Sequence, residues 1–201
     1  MYHSDSYSIN LPAESKRIKS NPEDIMNYFS ADTHFGHTNI IKHCNRPFKT
    51  ADDMNDVMLT NINDMVGEDD TYWHLGDFAW GDPWPFLNAI RCKDIRIIIG
   101  NHDKHRRKQL EDAHTRGRIK LHHGYLDTKI DGQFLTMCHF PMLSWQASFH
   151  RSWHLYGHVH GTIDKPRLRS MDVGVDAHDF CPISWTYICE FIENQVVINP
   201  M

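Results

Sequence analysis

Five short stretches of the chain are built from side chains that bind metal ions or move protons: Asp32-Thr33-His34, Gly76-Asp77, Gly100-Asn101-His102-Asp103, His139, and Gly157-His158-Val159-His160. Two carboxylates, three or four imidazoles and an amide oxygen form a mixed nitrogen and oxygen set with no thiolate. Such a set suits manganese, iron or zinc better than copper(I) or a structural zinc cluster. Seven ligands are too many for one catalytic ion that keeps an open position, and suit two ions sharing a bridging carboxylate. Two-ion sites, with cations about 3.5–4 Å apart, clamp the attacking and leaving oxygens of an in-line displacement. A single Asp or His in such a place is more often a cap or turn residue. What points to a site is all five stretches together.

Each stretch stands at the end of an apolar run. Ile25 to Phe29, Thr71 to Leu75 and Ile95 to Ile99 read as strands that stop where Asp32, Gly76 and Gly100 begin. Gln133 to Cys138 and Trp153 to Tyr156 likewise precede His139 and Gly157. In open α/β sheets such strand ends converge on one crevice. Helical spacing of Met54, Val57, Met58, Ile62, Met65 and Val66 follows a loose capping box at Thr50-Ala51-Asp52-Asp53, and Gly67 is a plausible stop. Pro83 to Ile90 and Lys104 to Ala113 read as further helices, the second exposed. Ile119 to His122 and Tyr125 to Ile130 read as strands, with Asp131-Gly132 as a hairpin turn, and Thr186 to Ile198 as strands turning at Asn194-Gln195. Strand and helix alternate in the first half and hairpins fill the second, which predicts a layered α/β fold with partly mixed sheets. Residues 1–24 read as an arm or irregular lead-in to one domain over 25–201.

Composition removes several classes of function. With 201 residues, 40% hydrophobic and 23% charged, the chain is neither disordered nor fibrous. No apolar run approaches the length needed to cross a bilayer, so no membrane partner is expected. A net charge of −5 does not hold a protein on nucleic acid by overall charge. The 5 cysteines form no C-x-x-C pair, and Met1 to Ser20 has no apolar core of a secretory signal, so a reducing, cytoplasmic setting is expected.

Taken in order, Asp32-x-His34, Gly76-Asp77, Gly100-Asn101-His102-Asp103, His139 and Gly157-His158-x-His160 resemble the motif set of the calcineurin-like metallophosphoesterase superfamily. Asp32-Thr33-His34-Phe35-Gly36-His37 with Asn45-Arg46-Pro47-Phe48 resembles its small, compact bacterial and phage subgroup. The resemblance implies a single-domain, four-layer α/β/β/α sandwich of two mixed sheets. It also implies two divalent metal ions (manganese, iron, zinc or nickel, with manganese favoured) and in-line attack of a metal-bridging hydroxide on a phosphate ester. Carried over by position, Asp32, His34 and His160 hold the first ion, Asn101, His139 and His158 the second, and Asp77 bridges both. His102 resembles the catalytic histidine that protonates the leaving oxygen, and Asp103 is expected to hydrogen-bond its imidazole.

Substrate contacts are less sharply marked. His37 is a candidate contact or a local packing residue, and Arg46 a candidate phosphate clamp or a solvated loop residue. Only 35 residues (104–138) and 18 residues (140–157) separate the later motifs, which leaves no room for a cap domain. Basic runs at Lys104-His105-Arg106-Arg107-Lys108 and at Lys165, Arg167 and Arg169 lean the reading towards phosphodiesters, including nucleotides and nucleic acid. Trp80, Trp84, Trp145 and Trp153 could stack a base or pack in the core. The alternatives are a phosphomonoesterase acting on a small molecule or protein, a hydrolase of other esters or amides, and a catalytically silent scaffold.

Overall fold

Parallel strands covered on both faces need nearly continuous apolar sequence, and the first sheet meets that need. In the computed structural model, which describes residues 24–163 and 168–195, β1 (Asn27–Ser30), β2 (Thr71–His74), β3 (Asp94–Ile98) and β4 (Ile119–His122) run parallel. The sheet order is β4-β3-β2-β1-β9, with β9 (Ile183–Ser184) antiparallel at the edge. β5 (Tyr125–Ile130), β6 (Gln133–Cys138), β7 (Trp153–Tyr156) and β8 (Ser170–Asp172) form the second sheet in that order. Its first pair is an antiparallel hairpin and the rest is parallel, so both sheets are mixed.

Alternation along the strands divides the core in two. Tyr28, Tyr72, Ile95 and Ile97 face a cluster with Met54, Met58 and Ile62 of α2 (Ala51–Met65), Leu87 of α3 (Trp84–Ala89) and Leu110 of α4 (Arg107–Thr115). Phe29, Trp73 and Ile98 face the other way, onto Leu135, Met137, Leu155 and Met171 of the second sheet. The chain is thus an α/β sandwich in which two sheets meet across an apolar layer. Thr50 caps α2 as the sequence predicts, its side chain accepting from the Asp53 N–H at 3.0 Å.

One expectation is overturned. The segment expected as strands from Thr186 is α5 (Trp185–Glu193). Its apolar, β-branched and aromatic residues fit a strand by propensity. The Ser184 hydroxyl, however, accepts from the Tyr187 N–H at 3.2 Å, and Trp185, Ile188 and Ile192 are buried at helical spacing in the inter-sheet cluster. α1 (Thr38–His43), β8 and β9 are too short to be read from pattern. The expected arm, except for Asp24, lies outside the described residues, as do Lys165, Arg167 and the end of the expected terminal strand. Among the described residues no helix is long and apolar enough to cross a membrane.

Candidate metal centre

The turns that leave β1, β2, β3, β6 and β7 meet along one edge and are stitched backbone to backbone. Asp32 N–H donates to Gly76 O, His34 N–H to Asp77 O and Gly157 N–H to His139 O, each at 3.0 Å. Asp32, His34, Asp77, His158 and His160 all sit in the left-handed region, with φ of 58°, 48°, 58°, 73° and 50°. That region costs an L-residue about 1–2 kcal/mol, and such strain gathers where side chains must be aimed for function. Glycines make the close approach possible. A Cβ on Gly157 would stand 2.6 Å from Asp32 Oδ2, and one on Gly76 would stand 2.6 Å from His139 Nδ1.

Two trios of side chains result. Asp32, His34 and His160 bring one ligand atom each within 4.8 Å of one another, and Asp77, His139 and His158 do the same. They meet at Asp77, whose Oδ2 lies 3.6 Å from His34 Nε2 and 3.4 Å from His139 Nε2. Asn101 Oδ1 lies 2.9 Å from the same His139 nitrogen. The other ring nitrogen of His139 faces Leu75 O at 2.9 Å, and a carbonyl only accepts, so Nδ1 carries the proton. Nε2 faces two oxygen acceptors, Asn101 Oδ1 and Asp77 Oδ2, a place that a proton on the ring favours in the metal-free protein and that suits a cation in its stead. Asp32 Oδ1 and His34 Nε2 are buried with no hydrogen-bond partner. Orphaned acceptors of this kind, in a set of carboxylates, imidazoles and an amide, fit divalent metal binding.

The electrostatics carry the same mark. Burial pushes the Asp32 carboxyl up to about 7, against the pull of His139 and His160. Burial also holds His34 down at about 2, in its neutral, ligating form. For Asp77, burial works upward, but His139 and His34 outweigh it and bring the carboxyl down to about 2. Burial works to lower His139, and Asp77 with Asp32 outweigh it to raise that ring.

Two residues that the motifs do not include complete the centre. His160 Nδ1 bonds Asp176 Oδ2 at 2.6 Å, which fixes the ring and turns Nε2 towards Asp32 and His34. Despite burial, this hydrogen bond lifts His160 to about 10. Cys44 also groups with His160 and Asp176 as a potential ligand set. No signal in the sequence marks Asp176, which follows the three-residue strand β8 on a short turn.

Arg46 corrects an expectation. It is neither solvated nor open to a phosphate, because all five of its N–H groups are taken. Nε and Nη2 grip Asp176 at 2.8 and 2.7 Å, Nη2 also donates to Asp32 O at 2.7 Å, and Nη1 donates to Thr33 O and Met54 Sδ. Asp103 corrects another. Its carboxylate accepts from the N–H groups of Asp77 (2.7 Å), Gly100 (2.9 Å) and Phe78 (2.9 Å), pinning two turns together without bonding the His102 imidazole. The His102 N–H donates to Asp77 Oδ1 at 2.8 Å, its Nε2 lies 4.0 Å from Asp77 Oδ2, and its side chain is exposed at the mouth. His37 lies buried under Trp80 and reaches the centre only through that indole and the His34 ring, 5.6 Å away.

Fold and site together define an α/β sandwich protein with a buried carboxylate–histidine centre able to hold metal. No family model matches the chain. The uncharacterized protein MJ1445 of Methanocaldococcus jannaschii is 31% identical over 189 residues, covering 86% of this chain and 94% of that protein. The chain belongs to the same family as MJ1445. The gene 66 protein of Mycobacterium phage D29 is 28% identical over 186 residues, covering 78% of this chain and 91% of that one. The crystal structure of AQ665 from Aquifex aeolicus, a protein of unknown function, superposes with a TM-score of 0.67 at 25% identity over 84% of this chain and 100% of that one.

Proposed function

We propose that the chain is a dinuclear metal-dependent phosphoesterase that hydrolyses phosphodiesters, nucleotide-containing ones included. The observation that carries this reading is the position of Asp77, a member of the second trio, whose Oδ2 lies 3.4 Å from His139 Nε2 in its own trio and 3.6 Å from His34 Nε2 in the other. In this reading Asp32, His34 and His160 would hold one cation, Asn101, His139 and His158 the other, and Asp77 would serve both. The absence of thiolate from these seven favours manganese, with iron, zinc or nickel as its competitors. A bound pair of divalent ions supplies a nucleophilic water near neutral pH and positive charge for the phosphoryl oxygens. His102 gives a proton to the leaving oxygen, since its ring is exposed at the mouth, 5.3 Å from the His34 ring. Asp103 and Arg46 keep the turns in register rather than touching substrate.

The test is reconstitution with manganese, followed by metal analysis and hydrolysis of bis-p-nitrophenyl phosphate beside p-nitrophenyl phosphate. Two ions per chain and preference for the diester are expected. Preference for the monoester would make the protein a phosphatase, and two tightly held ions with no hydrolysis of either ester would make it a scaffold.

A further inference from the structure

Trp145 and Trp153, two of the four tryptophans able to stack a base, are buried, and Trp84 lies under the Arg116 guanidinium, 5.5 Å from its ring. Trp80 is different: it is 44% exposed, beside the mouth of the metal centre. It is also held rigidly. Its indole lies parallel on the buried His37 ring, centroids 4.0 Å apart and 4° between planes. Its backbone N–H donates to Phe35 O at 2.9 Å, and its backbone carbonyl accepts the Arg106 Nε–H at 2.8 Å. A packing tryptophan is covered on both faces, whereas this one is backed on one side and presents the rest of its ring to solvent. An open recess of about 400 Å³ begins there, lined by Trp80, His102, His105 and Arg106.

We propose that this recess takes the leaving group of the reaction, and that the leaving group is a nucleoside whose base stacks on Trp80. The proposal rests on the phosphodiesterase reading above and adds the side of the scissile bond on which the base lies. His102 is the proton donor to the leaving oxygen, so the atoms attached to that oxygen fall on the His102 side, where the Trp80 ring is 5.6 Å away. The attacking water releases one proton to solvent as its oxygen bonds to phosphorus, the P–O bond to the nucleoside breaks with its electron pair, and the His102 proton joins that oxygen. Base–aromatic stacking is tolerant of base identity, so this recess selects for the presence of a base rather than for one sequence. Arg106, whose Nε–H is already given to the Trp80 carbonyl, and His105 line the same recess, and the remaining guanidinium N–H groups and the imidazole face the ribose or a further phosphate on the same group.

The test compares the dinucleoside monophosphate ApA with its two analogues in which one or the other nucleoside is abasic, using manganese-loaded wild type and Trp80→Ala. Loss of the leaving-side base is expected to lower kcat/KM of the wild type by about 5- to 150-fold. In Trp80→Ala that ratio falls to near one while the content of metal stays at two ions. Trp80→Phe, which keeps an aromatic face, retains part of the ratio. A readout independent of turnover is quenching of tryptophan fluorescence by adenosine 5′-monophosphate in the metal-free protein, present in wild type and lost in Trp80→Phe. Equal cleavage of ApA and both analogues overturns this proposal alone. No cleavage of any by protein shown to hold its ions overturns the phosphodiesterase reading and this proposal with it. Absence of quenching in the wild type overturns the stacking.

Discussion

Arg46 and Asp176 form a two-pronged ion pair, Nε to Oδ1 at 2.8 Å and Nη2 to Oδ2 at 2.7 Å, between side chains 130 residues apart in the chain and both buried. The pair sits behind His160, so it orders a ligand without touching the space between the trios. Removing one partner of such a pair leaves an uncompensated buried charge. Arg46→Ala is therefore expected to destabilise the fold by about 3–5 kcal/mol, read as a lower urea midpoint. A lysine in its place does not restore the five-donor geometry. If Arg46 were a substrate contact, kcat/KM would fall with the urea midpoint unmoved.

Asp176→Asn tests the other half of that relationship. The amide weakens the hold on the His160 ring while leaving the seven proposed ligands in place, so cation affinity should fall about 10- to 100-fold. Competition against a chelator measures this, and wild-type affinity would dismiss the orienting role.

Asp77→Asn removes the charge from the carboxylate that lies between the two trios. Since His102 N–H bonds Oδ1 at 2.8 Å, the amide oxygen can keep that contact and the turn should survive. Both ions should then be held weakly, and metal analysis showing two ions at wild-type affinity would count against the bridge.

His102→Ala leaves every proposed ligand intact. Metal content should stay the same while turnover of a diester falls by about 10²- to 10⁴-fold, the usual worth of a general acid. Unchanged turnover would reassign the proton transfer.

Acidity separates the groups of the metal-free protein. His160 is raised from the ordinary 6.5 to about 10, so its contribution to stability is fully present below pH 6.5 and is lost as pH rises to about 10. His34 and His74 are lowered to about 2 and about 3, chiefly by burial, so theirs is present above pH 6.5 and lost as pH falls through those values. Urea midpoints in chelator should thus decline on both sides of a maximum near neutrality, the alkaline limb flattening in His160→Ala. Cation affinity should climb over that alkaline interval, because binding displaces a proton from the ring. An affinity independent of pH would exclude His160 as a ligand.

How far the sequence discloses all this depends on the range of each interaction. The turns at Asp32, Asp77, Asn101, His139 and His158 are legible because an apolar strand stopping at an Asp, Asn or His is a local event. Their meeting along one edge follows from the rule for strand ends. α5 is misread because a short apolar run rich in Thr, Tyr, Ile and Phe serves helix or strand equally, and the decision comes from Ser184 and the inter-sheet layer. Arg46, Asp103 and Asp176 are misassigned or missed for a related reason. A buried charge is defined by partners remote in sequence, and nothing beside Asp176 in the chain announces His160 or Arg46.

The left-handed turns have a consequence for evolution and for engineering. Elsewhere, a residue at φ near 50° is a standing invitation to replace it with glycine and gain heat tolerance. At Asp32, His34, Asp77, His158 and His160 that exchange would delete the very atom the turn exists to present. Selection for ruggedness should therefore leave this rim unaltered and collect its gains far away, on the exposed flank of α4 and the outer strand β5.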